Sequence, residues 1–162
     1  MKNRSLALAF YASMSLFIVG CHFDFSLTAN PTRPIDNRLV GDWVYVDVDG
    51  QRIERMNVRK LDATTFIVSY EGELYRAFHS DFAGVSFISV QDLHSDPGKF
   101  LYLVYKLSSD DAKLGLKYVN PKFVPETVKD QAAIQEFIKR NLNNPSLFGE
   151  ELVYSRRKDW RP

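Results

Sequence analysis

Leu39-Val40-Gly41-Asp42-Trp43-Val44-Tyr45-Val46-Asp47-Val48-Asp49-Gly50 alternates side chains with a period of two and then turns. Val44, Val46 and Val48 fall on one face, and Trp43, Tyr45 and Asp47 on the other, which is the signature of a β-strand. Asp49-Gly50 is the strongest short hairpin signal a sequence carries. The same rhythm repeats downstream. Residues 52–61, 64–70, 73–82, 85–91, 100–107 and 113–119 each read as a short strand rich in β-branched and aromatic residues. Glu71-Gly72, Ala83-Gly84, the loop 95–98 and the polar stretch 108–112 separate them. Residues 100–107 are apolar on both faces.

After residue 119 the period changes. Pro121 and Pro125 end the sheet pattern. Thr127-x-x-Asp130 reads as a capping box for a helix reaching about Asn141. Ile134, Phe137, Ile138 and Leu142 form its apolar stripe, and Lys139 and Arg140 suit its C-terminal dipole. Pro145 closes it, and residues 151–157 read as one more strand. The expected fold is mainly β. An antiparallel meander of about eight strands closes into a small barrel or half-barrel, with one amphipathic helix in the C-terminal half covering a mouth or a flank.

Gly41-Asp42-Trp43 is similar to the Gly-x-Trp that opens lipocalin-type barrels. The resemblance implies that Trp43 lies at the barrel floor and that an arginine from near the last strand packs across it. Arg156, with Arg157 beside it, stands where that partner is needed, and a planar guanidinium suits stacking on an indole. Lipocalins place their helix after the eighth strand, whereas here it precedes the last one. The resemblance also implies an interior able to carry a small apolar ligand. Tyr45, Phe66, Tyr70, Phe78, Phe87, Tyr102 and Tyr118 are the candidate lining. The bulk of these rings favours a filled core over a hollow one.

Upstream, residues 6–19 form an apolar run without charge, behind Lys2 and Arg4 and ahead of Gly20 and Cys21. The run is shorter than the ~20 residues of a membrane helix and has the form of a secretory signal. Ile18-Val19-Gly20-Cys21 resembles the lipobox of bacterial lipoproteins. That resemblance implies recognition of Ile18, Val19 and Gly20 by the signal peptidase, cleavage before Cys21, and acylation of Cys21. His22 stands where aspartate would favour inner-membrane retention, so the implied location is the outer membrane of a Gram-negative envelope. The domain reading is therefore 1–20 signal peptide, 21–38 lipidated tether and 39–162 a single β-rich domain. A linker of residues 22–34 would reach at most about 45 Å. Phe23, Phe25 and Leu27 within it suit either the lipid interface or an edge of the domain.

Cys21 is the single cysteine, so the fold is held by packing without an internal disulfide. Without residues 1–20 the chain has 19 basic and 20 acidic residues. That balance gives no case for nucleic acid. Arg52, Arg55, Arg59 and Lys60, with Arg156, Arg157, Lys158 and Arg161, make two basic clusters, read first as a solvated edge. His79-Ser80-Asp81 and His94-Ser95-Asp96 contain candidate catalytic types. On a strand, however, Ser80 points away from His79 and Asp81, so no local triad forms. His79 is expected as a polar residue at a strand edge and His94 in a loop. Asp47-x-Asp49-Gly50 is similar to the start of a calcium loop, but the twelfth position falls on Val58, which cannot be a ligand. No catalytic residue, metal or cofactor is expected. The functional expectation is a lipid-anchored, non-catalytic binding or accessory module contacting an envelope protein, lipid or glycan. The alternative is a lipocalin-like carrier of a small apolar ligand.

Overall fold

In the computed structural model, which describes residues 22–94 and 98–157, every strand pairs antiparallel with its sequence neighbour. The strands are β1 (Gly41–Val46), β2 (Ile53–Lys60), β3 (Thr65–Tyr70), β4 (Glu73–His79), β5 (Phe87–Asp92), β6 (Phe100–Leu107), β7 (Lys113–Tyr118) and β8 (Leu152–Arg156). β1 and β8 pair through Trp43 with Arg156 and Val44 with Ser155, so the meander closes into an eight-stranded barrel with no edge strand. β2, which carries Arg55, Arg59 and Lys60 of the first basic cluster, is thus paired on both sides. Arg59 pairs with Asp42 at 3.0 Å, and Arg52 pairs with Glu54.

The turns follow local chemistry. Glu71 and Gly72, then Ala83 and Gly84, all hold positive φ, as a type I′ hairpin requires at both central positions. The first hairpin is looser than Asp49-Gly50 implies. β1 stops at Val46 because the Asp47 carboxylate accepts from the backbone N–H groups of Gln51 (2.8 Å) and Arg52 (3.1 Å), and Val48 is left in solvent. The helix α1 (Gln131–Asn141) starts later than the expected capping box. Asp130 is itself the cap, accepting from Ala133 N–H at 2.8 Å.

Two apolar cores share the barrel wall. The inner one is filled from all eight strands and centres on Trp43, Met56, Phe66, Val68, Leu103 and Tyr154. The outer one lies between the wall and α1, where Phe87 and Tyr102 meet Ile134, Ile138 and Leu147. It exists because β6 is apolar on both faces and β5 adds Phe87 to the outer one, and a bare outer face there would be an exposed patch.

The segment read as a tether completes this outer core. Phe23 exchanges backbone hydrogen bonds with Phe100 (3.1 and 2.7 Å) and stacks on Tyr102 with ring centroids 4.5 Å apart. Leu27 is fully buried, and its N–H donates to Ser89 Oγ at 3.2 Å. Gln131 and Gln135 of α1 donate to the carbonyls of Ser26 and Leu27 at 2.9 and 2.8 Å. Of the two environments open to Phe23 and Leu27, the domain takes both residues. Each apolar side chain of this size contributes about 1.5–3 kcal/mol on full burial.

Residues 32–40 then cross the barrel end. Thr32 N–H donates to His79 O at 2.9 Å and Ile35 N–H to Ala63 O at 3.1 Å. A 3₁₀ turn, Asn37–Leu39, is capped by Asp36 and drives Leu39 into the inner core. Under this plug the Arg156 guanidinium lies 4.2 Å from the Trp43 ring centroid. It donates to Val40 O (2.8 Å), Asp111 O (2.9 Å) and Arg38 O, while Trp43 Nε1 donates to Leu39 O at 2.9 Å. Gly41 permits this approach, since a Cβ there would sit 2.5 Å from Arg156 Nη1.

Arg156→Gln is expected to cost about 2–3 kcal/mol in urea unfolding, through lost carbonyl contacts and lost stacking. Gly41→Ala should destabilise the native chain but cost clearly less in the Arg156→Gln background, where the clash is relieved. Strictly additive penalties would show that Gly41 is not there for the guanidinium.

Candidate functional site

The barrel interior is the first place to look for a site. Tyr45, Phe66, Tyr70 and Tyr118 point inward, as expected of lining residues. Phe78, Phe87 and Tyr102 do not. Phe87 and Tyr102 belong to the outer core, and Phe78 lies on the outer side of β4 beneath the Arg76 guanidinium. Parity explains the correction. Leu101 and Leu103 face inward, so Tyr102 between them must face out, and Phe87 is displaced in the same way by inward Ile88. Nothing local distinguishes the two faces of Phe100-Leu101-Tyr102-Leu103-Val104, because both are apolar.

Among the described residues, the void inside is about 40 Å³ and is lined by apolar side chains, among them Met56, Val58, Phe66, Val90 and Leu103. Ligand cavities run about 300–1,000 Å³. Side chains therefore fill the space that a carried ligand would need.

Towards the end bearing the β1–β2 and β3–β4 turns, the interior becomes polar. Glu54 is buried there, and its Oε2 accepts from the hydroxyls of Tyr154 (3.1 Å) and Tyr70. Arg52 pairs with the same carboxylate, and its guanidinium lies 5.9 Å from the Tyr45 ring centroid. Burial, and the shared carboxylate, push both phenols well above the usual tyrosine range, so both stay donors. The composition did not single out Glu54. Its one signal is an acidic residue at an inward position of the alternation Glu54, Met56, Val58.

At the opposite end His79, expected as a polar residue at a strand edge, is instead fully buried at the last position of β4 in a closed sheet. The plug covers it. Nε2 accepts from Asp36 N–H at 3.2 Å, which leaves the proton on Nδ1. Phe66 and Tyr105 flank the ring at 5.6 and 5.9 Å. Burial and the nearby Arg33 guanidinium lower its pKa to about 4, against the smaller opposing pull of Asp81 and Asp36. Ser80 turns the other way, to Ser89 Oγ at 2.8 Å and Thr28 Oγ1 at 2.9 Å, and Asp81 is held by Arg33 at 2.7 Å. The tripeptide thus builds the plug's seat and supplies no nucleophile–base pair. His94 is exposed, with Glu73 at 3.0 Å and Asp92 at 3.7 Å. Its companions Ser95 and Asp96 lie outside the described residues, as do Ile18, Val19, Gly20, Cys21, Lys158 and Arg161. Among the described residues no three His, Cys, Asp or Glu side chains group to hold a metal ion.

Among the described residues, two open grooves lie on the outer wall. One, of about 410 Å³, runs across β1–β3 and is lined by Asp42, Arg55, Asn57, Ser69, Glu71 and Arg157. It brings one arginine from each basic cluster together with two carboxylates, so it is mixed in charge. The other, of about 390 Å³, lies between residues 22–25 and the loop before α1. No protein family model, no curated protein and no solved structure matches the chain.

The His79 environment has a measurable consequence. The unfolded chain takes up a proton near the ordinary histidine value of 6.5, and the folded chain refuses it down to about 4. Stability should therefore be unaffected above pH 6.5 and fall between 6.5 and 4, by at most about 3 kcal/mol. Urea midpoints of His79→Gln, whose amide can still accept from Asp36, should lack that part of the slope. Identical pH profiles for the two proteins would contradict the burial account.

Proposed function

We propose that the chain is a lipoprotein of the bacterial envelope, held through acyl chains on Cys21 in the outer membrane of a Gram-negative cell. Its barrel is a lipocalin-like scaffold that has become a solid, non-catalytic binding or accessory module. The lipid anchor rests on Ile18-Val19-Gly20-Cys21 behind a short charge-free apolar run. Gly41-x-Trp43 and the Arg156 stack on Trp43 support the lipocalin-like layout. The filled interior carries the choice of a module over a carrier, because a void of about 40 Å³ is far below what a small apolar ligand occupies. Recognition then falls to the outer surface. The groove of Asp42, Arg55, Asn57, Ser69 and Glu71 offers hydrogen-bonding side chains suited to a polar protein segment or a glycan.

Growth of a Gram-negative host with labelled fatty acid tests the anchor. The wild-type chain should carry label in the membrane fraction, and Cys21→Ser should lose the label and appear among soluble periplasmic proteins. An unlabelled wild-type chain in the pellet would reject the anchor. Native mass spectrometry of the purified wild-type protein should show the covalent acyl mass and nothing further bound. A stoichiometric co-purified lipid would restore the carrier.

A further inference from the structure

If Cys21 is acylated, the chain leaves no slack between the lipid and the barrel. His22 N–H already donates to Phe100 O at 3.0 Å, and Phe23 exchanges hydrogen bonds with the same residue. Cys21 is one peptide bond upstream, about 3.8 Å between α-carbons. Its lipid would therefore emerge at the start of β6, the barrel end that also bears the β1–β2, β3–β4 and β5–β6 connections.

That end carries most of the exposed large hydrophobics of the described residues, interspersed with the exposed carboxylates of Asp49, Glu71 and Glu73. Val46, Val48, Ile53, Leu74 and Leu93 all lie at or next to those three connections and are exposed, Val48 fully. At the plugged end, among the described residues, Leu61 is the one large exposed hydrophobic. The groove of about 390 Å³ opens beside His22, and Phe23, Phe25, Pro121, Val124, Pro125 and Val128 supply its apolar lining. It lies within reach of any acyl chain on the neighbouring cysteine.

We propose that this end of the barrel rests on the bilayer in a set orientation. Val48 and Leu93 sit at the headgroup–acyl boundary, the groove shelters the root of the lipid, and the plugged end with Trp43 and Arg156 faces away. The inference rests on the anchor reading and adds to it. Acylation of a free tether would allow the barrel to tumble, whereas a pinned His22 does not.

The test uses the full-length acylated protein in vesicles of phosphatidylethanolamine and phosphatidylglycerol. Single variants Val48→Cys, Leu93→Cys and Leu61→Cys are labelled with a membrane-impermeant maleimide, since native Cys21 is blocked by its lipid. Each rate is compared with that of the same variant carrying Cys21→Ser, free in solution. Val48→Cys and Leu93→Cys should slow at least about tenfold on the vesicles, and Leu61→Cys should stay within about twofold. The mass of the N-terminal peptide is read on the same samples. Acyl mass with Val48→Cys reacting as fast as in solution overturns the orientation and leaves the anchor standing. No acyl mass overturns both.

Discussion

The barrel is closed at one end by a cation lying on an indole. Arg156 comes from the last strand and Trp43 from the first, and these two residues are also cross-strand partners in the pair that completes the sheet. The guanidinium spends its donors on the carbonyls of residues 38, 40 and 111, so one side chain joins β8, the plug and the β6–β7 turn. The cluster is partly buried, and each charge-assisted bond is worth more than a neutral one. Gly41 suits both its own positive φ of 153° and the volume that the arginine occupies. β1 and β8 share a register of only two residue pairs. The ring closes there because this cluster holds it.

The second constraint is the two-faced wall. β6 presents apolar side chains inward and outward, and β5 adds Phe87 to the outer face, so this face needs a cover that the barrel cannot supply. The helix covers part of it. The arm of residues 22–28 covers the rest, fixed by backbone pairing at Phe100, by Ser89 and Ser80, and by two glutamines of α1. The continuation of that arm becomes the plug, and His79 becomes its acceptor. A segment that looks like a spacer is consumed in structure for this reason. Phe23 and Leu27 are buried in the outer core, and Phe25 packs against it.

The packing consequence is a filled interior. An eight-stranded ring has room for its own side chains or for one small ligand. Here Trp43, Phe66, Tyr70, Tyr118 and Tyr154 take the room, and Glu54 adds a self-contained polar layer at one end. Among the described residues, the open surfaces are the mixed-charge groove over β1–β3 and the groove where the arm begins.

Strand count, turn positions, the single helix and the antiparallel meander were legible in the sequence by itself. Alternation and hairpin chemistry are properties of a few consecutive residues, and the Trp43–Arg156 partnership was legible from motif and position. Only the tertiary structure decided the orientation of Phe78, Phe87 and Tyr102, the docking of residues 22–38, the late start of α1 at Asp130 and the burial of His79. A strand apolar on both faces carries no local sign of which face is core. A histidine at a strand end is dry or wet according to what distant chain lies across it. Those outcomes depend on which surfaces remain uncovered once the ring has closed.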